Sequence, residues 1–233
     1  MSAYSFSFAG EPLQALGAGA LWWPAQQLLC VSDLHLAKSE RQLRRGGSAL
    51  PPYDSRDTLL RLSQLIDRYQ PKTVICLGDS FDDDAAARAL PDADHALLER
   101  LTQTRRWIWI TGNHDPAPTG FDGEAADTLQ IGPLLFRHIA TPADTPLSHT
   151  VSSTSDASNG SLGEISGHYH PKVRLRGSSR PAFLMDQQRM ILPAFGTYTG
   201  GLCSTDPALS TLMAPNALAV LTGQRPLPCP MPR

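Results

Sequence analysis

Residues 73–82 read TVICLGDSFD. A short apolar run closes on Gly78 and then delivers two carboxylates, Asp79 and Asp82. A continuous run of this length, bounded by a turn residue, is the pattern of a strand buried on both faces. The same pattern stands on either side. Leu28 to Ser32 (LLCVS) runs into Asp33-Leu34-His35, and Trp107 to Thr111 (WIWIT) runs into Gly112-Asn113-His114-Asp115. Between them the period changes. Residues 54–69 place Leu59, Leu62, Ile66 and Tyr69 on one helical face, with Asp54 as the cap, Asp57 three residues on and Pro71 as the stop. Residues 93–103 read as a second helix. Strands alternating with helices predict an α/β sheet covered on both faces.

Beyond residue 128 the helical pattern fades. Leu129 to Ile139, Glu164 to Ser166, Val173 to Leu175, Ala182 to Met185, Met190 to Leu192 and Ala217 to Leu221 are strand-like. A second sheet packed on the first is expected, giving a four-layer α/β/β/α sandwich. Residues 141–163 (TPADTPLSHTVSSTSDASNGSLG) are poor in apolar side chains and read as a flexible surface loop inside a single domain spanning 1–233.

Composition excludes several classes. With 41% hydrophobic and 18% charged residues, the 233-residue chain can bury a core and does not read as disordered. A net charge of −2 offers no global basic field. Residues 12–32 lack charge, but Gln14, Gly17, Gly19, Pro24, Gln26 and Gln27 break any membrane-spanning run. The first Lys or Arg is Lys38, so a secretory signal fits poorly. Cys30, Cys76, Cys203 and Cys229 form no C-x-x-C pair. A soluble protein of the reducing cytoplasm is expected.

Four strand-like runs end in polar clusters: D-x-H at 33–35, G-D-x-x-D at 78–82, G-N-H-D at 112–115 and G-H-x-H at 167–170. Any one of these is an ordinary turn. Together, at the carboxyl ends of strands where open α/β sheets bind ligands, they describe a metal centre of carboxylate, imidazole and amide donors.

This ordered set resembles the calcineurin-like metallophosphoesterase superfamily. Surrounding stretches, DLHLAKSE (33–40), LPPYDSRDTL (50–59), ICLGDSFDD (75–83), WIWITGNHDP (107–116), SGHYHPK (166–172) and ILPAFGTYTGGL (191–202), are similar to its bacterial ligase-associated DNA damage response endonucleases. The resemblance implies two divalent ions, manganese first, with iron or zinc also compatible with the donors. One ion would be held by Asp33, His35, Asp79 and His170, the other by Asp79, Asn113, His168 and a further histidine. That histidine must lie between Asp115 and Gly167, where His138 and His149 stand. His138 is favoured because it ends an apolar run, whereas His149 sits in the Ser/Thr-rich stretch. The resemblance also makes His114 the catalytic histidine at the leaving group, oriented by a carboxylate of the Asp82–Asp84 run, Asp82 first. His95 reads as a surface residue.

Two basic clusters follow metal motifs: Lys38, Arg41, Arg44 and Arg45, and then Lys172, Arg174, Arg176 and Arg180. They suit a polyanion groove, or else are solvated faces, residues 172, 174 and 176 sharing one side of a strand. Lys38, Lys172, Arg174 and Arg176 are the candidate substrate contacts, with Tyr169 as a stacking surface; Trp22 and Trp23 read as core. The reading is a two-metal phosphodiesterase or endonuclease acting on single-stranded nucleic acid, DNA or RNA, in bacterial DNA repair. The resemblance implies a functional association with a DNA ligase and a helicase, and no membrane partner. The alternatives are a phosphoesterase for a nucleotide or lipid-linked small molecule, and an inactive scaffold of the same fold. Metal analysis separates the two histidines: His138→Ala should lower the content from two ions per chain to about one and abolish activity, and His149→Ala should do neither.

Overall fold

The apolar runs form strands whose side chains alternate between two different cores. The structure, a computed structural model, describes residues 2–115, 120–145, 162–175 and 177–233. The first sheet has seven strands in sequence order: β1 (Ala3–Phe8), β2 (Glu11–Leu16), β3 (Leu21–Trp23), β4 (Leu28–Val31), β5 (Thr73–Leu77), β6 (Arg106–Ile110) and β7 (Glu124–Ala126). β1 to β4 pair antiparallel and β4 to β7 parallel. The chain crosses from β4 to β5 through helices α1 (Lys38–Arg44) and α2 (Asp54–Tyr69), and from β5 to β6 through α3 (Asp84–Arg88) and α4 (Asp92–Gln103). The second sheet is built from β8 (Thr128–Ile131), β9 (Leu134–Arg137), β10 (Gly163–Ser166), β11 (Lys172–Leu175), β12 (Ser178–Met185), β13 (Arg189–Ile191), β14 (Leu218–Leu221) and β15 (Leu227–Pro230). Its central strands β9, β10 and β13 run parallel.

β5 shows why no polar residue interrupts the run. Val74 and Cys76 pack against Leu59, Leu62 and Ile66 of α2 and Leu98 of α4. Ile75 and Leu77 pack between the sheets against Leu134, Phe136, Ile165 and Phe183. Trp107 and Trp109 of β6 take the helix side, and Ile108 and Ile110 the sheet side. The outer face of the second sheet is covered thinly, by the short helix α5 (Pro207–Ser210) and its following turn, through Leu209, Leu212 and Met213. The layers are therefore α/β/β/α, with an unequal pair of outer layers. Trp22 and Trp23 are core residues on opposite faces of the first sheet. No helix among the described residues is long and apolar enough to cross a membrane.

Two sequence expectations are corrected, and a third falls largely outside the described residues. The run Leu129 to Ile139 is a hairpin, β8 and β9 paired antiparallel, because Gly132 turns at φ +54° and Pro133 has no N–H for a ladder. Asp54 does not cap α2. It is the first helical residue, and its carboxylate accepts hydrogen bonds from the N–H and hydroxyl of Ser39, tying α2 to α1. The stretch 141–163 is packed at both ends: Thr141 is buried on Glu164, and Gly163 opens β10. Residues 146–161 lie outside the described residues. The inter-sheet core predicts that Phe183→Ala, which empties a site buried by both sheets, lowers stability by about 3–5 kcal/mol in denaturant unfolding.

Candidate metal centre

Five parallel strands end at the site. β4 leads into Asp33 and His35, β5 into Asp79, β6 into Asn113 and His114, β9 into His138, and β10 into His168 and His170. The loops pin one another through their backbones. His35 N–H donates to the Asp79 carbonyl at 2.9 Å, and Gly167 N–H to the His138 carbonyl at 2.9 Å. Gly196 N–H donates to the Asp33 carbonyl at 3.0 Å. So bound, five donor residues take left-handed backbone: Asp33 (φ 51°), His35 (43°), Asp79 (45°), His168 (71°) and His170 (46°). Asp and His tolerate this region better than most residues, yet each such position costs on the order of 1–3 kcal/mol. Gly78 carries a related constraint. It turns at φ +71°, and the His138 ring lies where a β-carbon would stand.

The side chains form two groups, Asp33, His35 and His170, and Asp79, His138 and His168, with the donor atoms of each within 4.8 Å of one another. Asp79 lies between them: its Oδ2 is 4.0 Å from His35 Nε2 and 3.4 Å from His138 Nε2. Asn113 Oδ1 is 3.0 Å from His138 Nε2, which brings the amide into the second group. The proton positions follow from chemistry. His35 Nδ1 donates to Asp82 at 2.8 Å and His138 Nδ1 to the Leu77 carbonyl at 2.8 Å, since neither partner can donate. In the neutral rings both Nε2 lone pairs then face the cluster.

His35 Nε2 is 3.3 Å from His170 Nε2, and His138 Nε2 is 3.3 Å from His168 Nδ1. Nitrogen and oxygen lone pairs gathered at such distances repel unless a proton or a cation lies among them. Imidazole, carboxylate and amide oxygen together suit divalent manganese, iron or zinc, and the tautomers leave the correct nitrogens bare. The residues present therefore fit two divalent ions. The titration follows from the same contacts. Against burial that would raise it, the carboxyl of Asp79 is lowered to about 2, chiefly by His138. Burial lowers the His138 imidazole, but Asp79 and Asp33 outweigh it and raise it overall. Burial, aided by His138, lowers His168.

His114 stands apart from the donors. Its ring is 32% exposed, its Nε2 is 4.0 Å from Asp79 Oδ2, and its Nδ1 donates to the main-chain carbonyl of Asp82 at 3.1 Å. The expected carboxylate is thus corrected to a carbonyl of the same residue. The Asp82 carboxylate is engaged elsewhere, on His35, on Arg41 at 2.8 Å and on Lys38 at 3.5 Å. Despite burial, His35, Lys38 and Arg41 hold it well below the usual carboxylate range. Asp83 caps α3 and pairs with Arg44.

Every cation of the first basic cluster is therefore paired: Lys38 and Arg41 meet Asp82, and Arg44 and Arg45 meet Asp83. In the second cluster Lys172 donates to the Thr199 carbonyl at 3.2 Å and Arg174 is exposed, with Val173 turned into the core between them. Arg176 and His149 lie outside the described residues. Tyr169 is half-buried, edge-on to His168. His95 is half-exposed and rests on the Phe121 ring, 4.6 Å between centroids.

Sequence reasoning missed two features. Asp115 ties the G-N-H-D loop to Phe81 N–H at 2.8 Å, and burial pushes its carboxyl up to about 7. Tyr53, just before α2, meets Tyr198, which stands on the loop whose Gly196 contacts Asp33, with 5.8 Å between ring centroids. Both tyrosines stand in stretches quoted above, but nothing in their spacing brings them together.

A family model described as calcineurin-like phosphoesterase matches residues 27–178. Among solved structures, the chain is similar to the nuclease MPE of Pseudomonas putida, with 27% identity and a TM-score of 0.74 over 98% of this chain and 100% of that one. The phosphoesterase Yfce of E. coli aligns over 88% of this chain and 99% of its own at 12% identity, with a TM-score of 0.42. No curated protein matches the sequence.

Asp82→Asn tests the reassigned carboxylate. It keeps the carbonyl on His114 and removes the charge behind His35, so metal affinity should fall about 10–100-fold. The acid and base limbs of the pH–rate profile at saturating metal should stay in place. A shifted limb with native metal affinity would return the carboxylate to His114.

Proposed function

The chain belongs to the calcineurin-like phosphoesterase family, a family of divalent-metal-dependent phosphoesterases, and on that footing we propose that it is a phosphodiesterase cleaving nucleic acid. The observation that carries the reading is Asp79 standing between two donor groups, within 4.0 Å of His35 and 3.4 Å of His138, with the half-exposed ring of His114 beside it. Asp33, His35, Asp79 and His170 would hold one ion, and Asp79, Asn113, His138 and His168 the other. Bound there, two divalent ions would neutralise phosphate charge and supply a nucleophile at neutral pH.

The remaining chemistry belongs to the chain. The Asp82 carboxylate fixes the ring and tautomer of His35, and the Leu77 carbonyl does the same for His138. With Nδ1 held by the Asp82 carbonyl, the His114 imidazolium has one free N–H, on Nε2. It gives that proton to the departing oxygen and remains as neutral imidazole. Two facts favour a polymeric substrate. The cleft lined by Asn113 and His138 is open, and the Pseudomonas putida relative is a nuclease aligned over the whole chain.

The finer reading is an endonuclease for single-stranded ends or gaps in bacterial DNA repair, using manganese and working alongside a ligase and a helicase. It rests on the likeness of the non-catalytic stretches around the motifs. Lys38, Tyr169, Lys172 and Arg174 are its proposed contacts at the rim.

Purified protein with manganese should cleave bis-p-nitrophenyl phosphate, and EDTA should abolish this. His114→Ala should keep its metal and lose about 10²-fold in diester turnover. A monoester hydrolysed much faster than the diester would overturn the phosphodiesterase reading, and unchanged turnover in His114→Ala would remove that residue from the mechanism.

A further inference from the structure

Arg137 ends β9, next to His138, and no motif includes it. Its Nη1 donates to the Thr141 hydroxyl at 2.6 Å and lies 3.7 Å from the carboxylate of Glu164. Glu164 is wholly buried and also accepts from Thr141 N–H at 3.0 Å. The same carboxylate lies 3.9 Å from Arg189, whose other nitrogen donates to the Pro142 carbonyl at 3.1 Å. One carboxylate thus serves two guanidinium groups, and the assembly carries a surplus positive charge. The charge is also aimed, because Thr141 and Glu164 fix a side chain that is 34% exposed. The cations Lys38, Arg41, Arg44 and Arg45 likewise share two carboxylates, Asp82 and Asp83; Arg137 differs in standing next to His138.

Two clefts meet at Arg137 and Ile139. One, of about 230 Å3, reaches Asn113 and His138. The other, of about 490 Å3, runs away from the metal centre between Tyr169, Pro142, Thr211 and Leu212. Its size falls within the ~300–1,000 Å3 typical of sites for small organic groups. A guanidinium at the entrance and aromatic and aliphatic walls behind it match a phosphate followed by a sugar and base.

We propose that Arg137 binds the phosphate adjacent to the one held at the metal centre, and that the cleft beyond it, between Ile139, Tyr169 and Leu212, receives the attached nucleoside. This inference rests on the nuclease reading and deepens it: the preferred substrate carries at least one further phosphate beside the bond that is cut.

The test uses the manganese-loaded protein, a single-stranded oligonucleotide and a dinucleoside monophosphate, which has no adjacent phosphate. The native protein should favour the oligonucleotide in kcat/KM. Arg137→Ala should raise KM for the oligonucleotide about tenfold, reduce the salt slope by about one and narrow the preference, with two ions still bound. Ile139→Glu, at a position 41% exposed where folding is not at stake, should act in the same direction by placing a carboxylate in the phosphate path. Native KM and salt slope in both variants would overturn the inference and leave the nuclease reading standing. Metal loss in Arg137→Ala with native behaviour in Ile139→Glu would assign Arg137 to holding the 138–142 turn, and overturn it too. Hydrolysis of bis-p-nitrophenyl phosphate with no cleavage of either nucleic acid by the native protein would sink the nuclease reading and the inference with it.

Discussion

Lone pairs from four histidines, two aspartates and an asparagine converge within a few ångströms, and that convergence needs positive charge, from protons or metal ions, to be favourable. Nε2 of His35 and Nε2 of His170 are 3.3 Å apart, as are His138 Nε2 and His168 Nδ1. The fold holds these groups together with backbone it would not otherwise choose, five donors lying at positive φ. Such strain persists only where the surroundings over-determine it. Here they do: the loops after β4, β5, β9 and β10 hydrogen-bond to one another, and the sheets behind them bury apolar side chains on both faces.

The two sheets contribute unequally. The first supplies Asp33, His35, Asp79, Asn113 and His114; the second supplies His138, His168 and His170. Each donor group combines residues from both, so the site exists only when the sheets are packed. The side chains between the sheets, Ile75, Leu77, Phe136, Ile165 and Phe183, therefore set the spacing of the metal centre as well as the stability of the domain. Gly78 shows the tightness of that fit, with the ring of a second-sheet histidine seated against a first-sheet turn.

Asp82 links the centre to its rim. Its carboxylate faces His35, Lys38 and Arg41 while its carbonyl holds His114, so one residue positions two histidines of the site with different atoms. The cations of α1 are bound up in that support, as Asp83 binds up Arg44 and Arg45. Arg137 and Arg189 share Glu164 in the same two-to-one ratio.

Much was legible in the sequence because the physics behind it is local. TVICL can be buried on both faces only as a strand inside a covered sheet, and G-D-x-x-D or G-N-H-D after such a run places its donors at a strand end. Rigidity favoured His138 over His149, and His138 stands in the cluster. The hairpin at Gly132-Pro133 was also written locally, though the apolar run masked it. Long-range facts were not legible. Asp82 meets Arg41 and His35 across 41 and 47 residues, and Tyr53 meets Tyr198 across a gap longer still. Which oxygen of Asp82 serves which histidine, and which carboxylate each arginine finds, depend on where distant loops come to rest. Sequence determines what each segment can do alone; only the packing of one sheet on the other decides which partners its polar atoms find, because hydrogen bonds and ion pairs act over a few ångströms of space, whatever the distance along the chain.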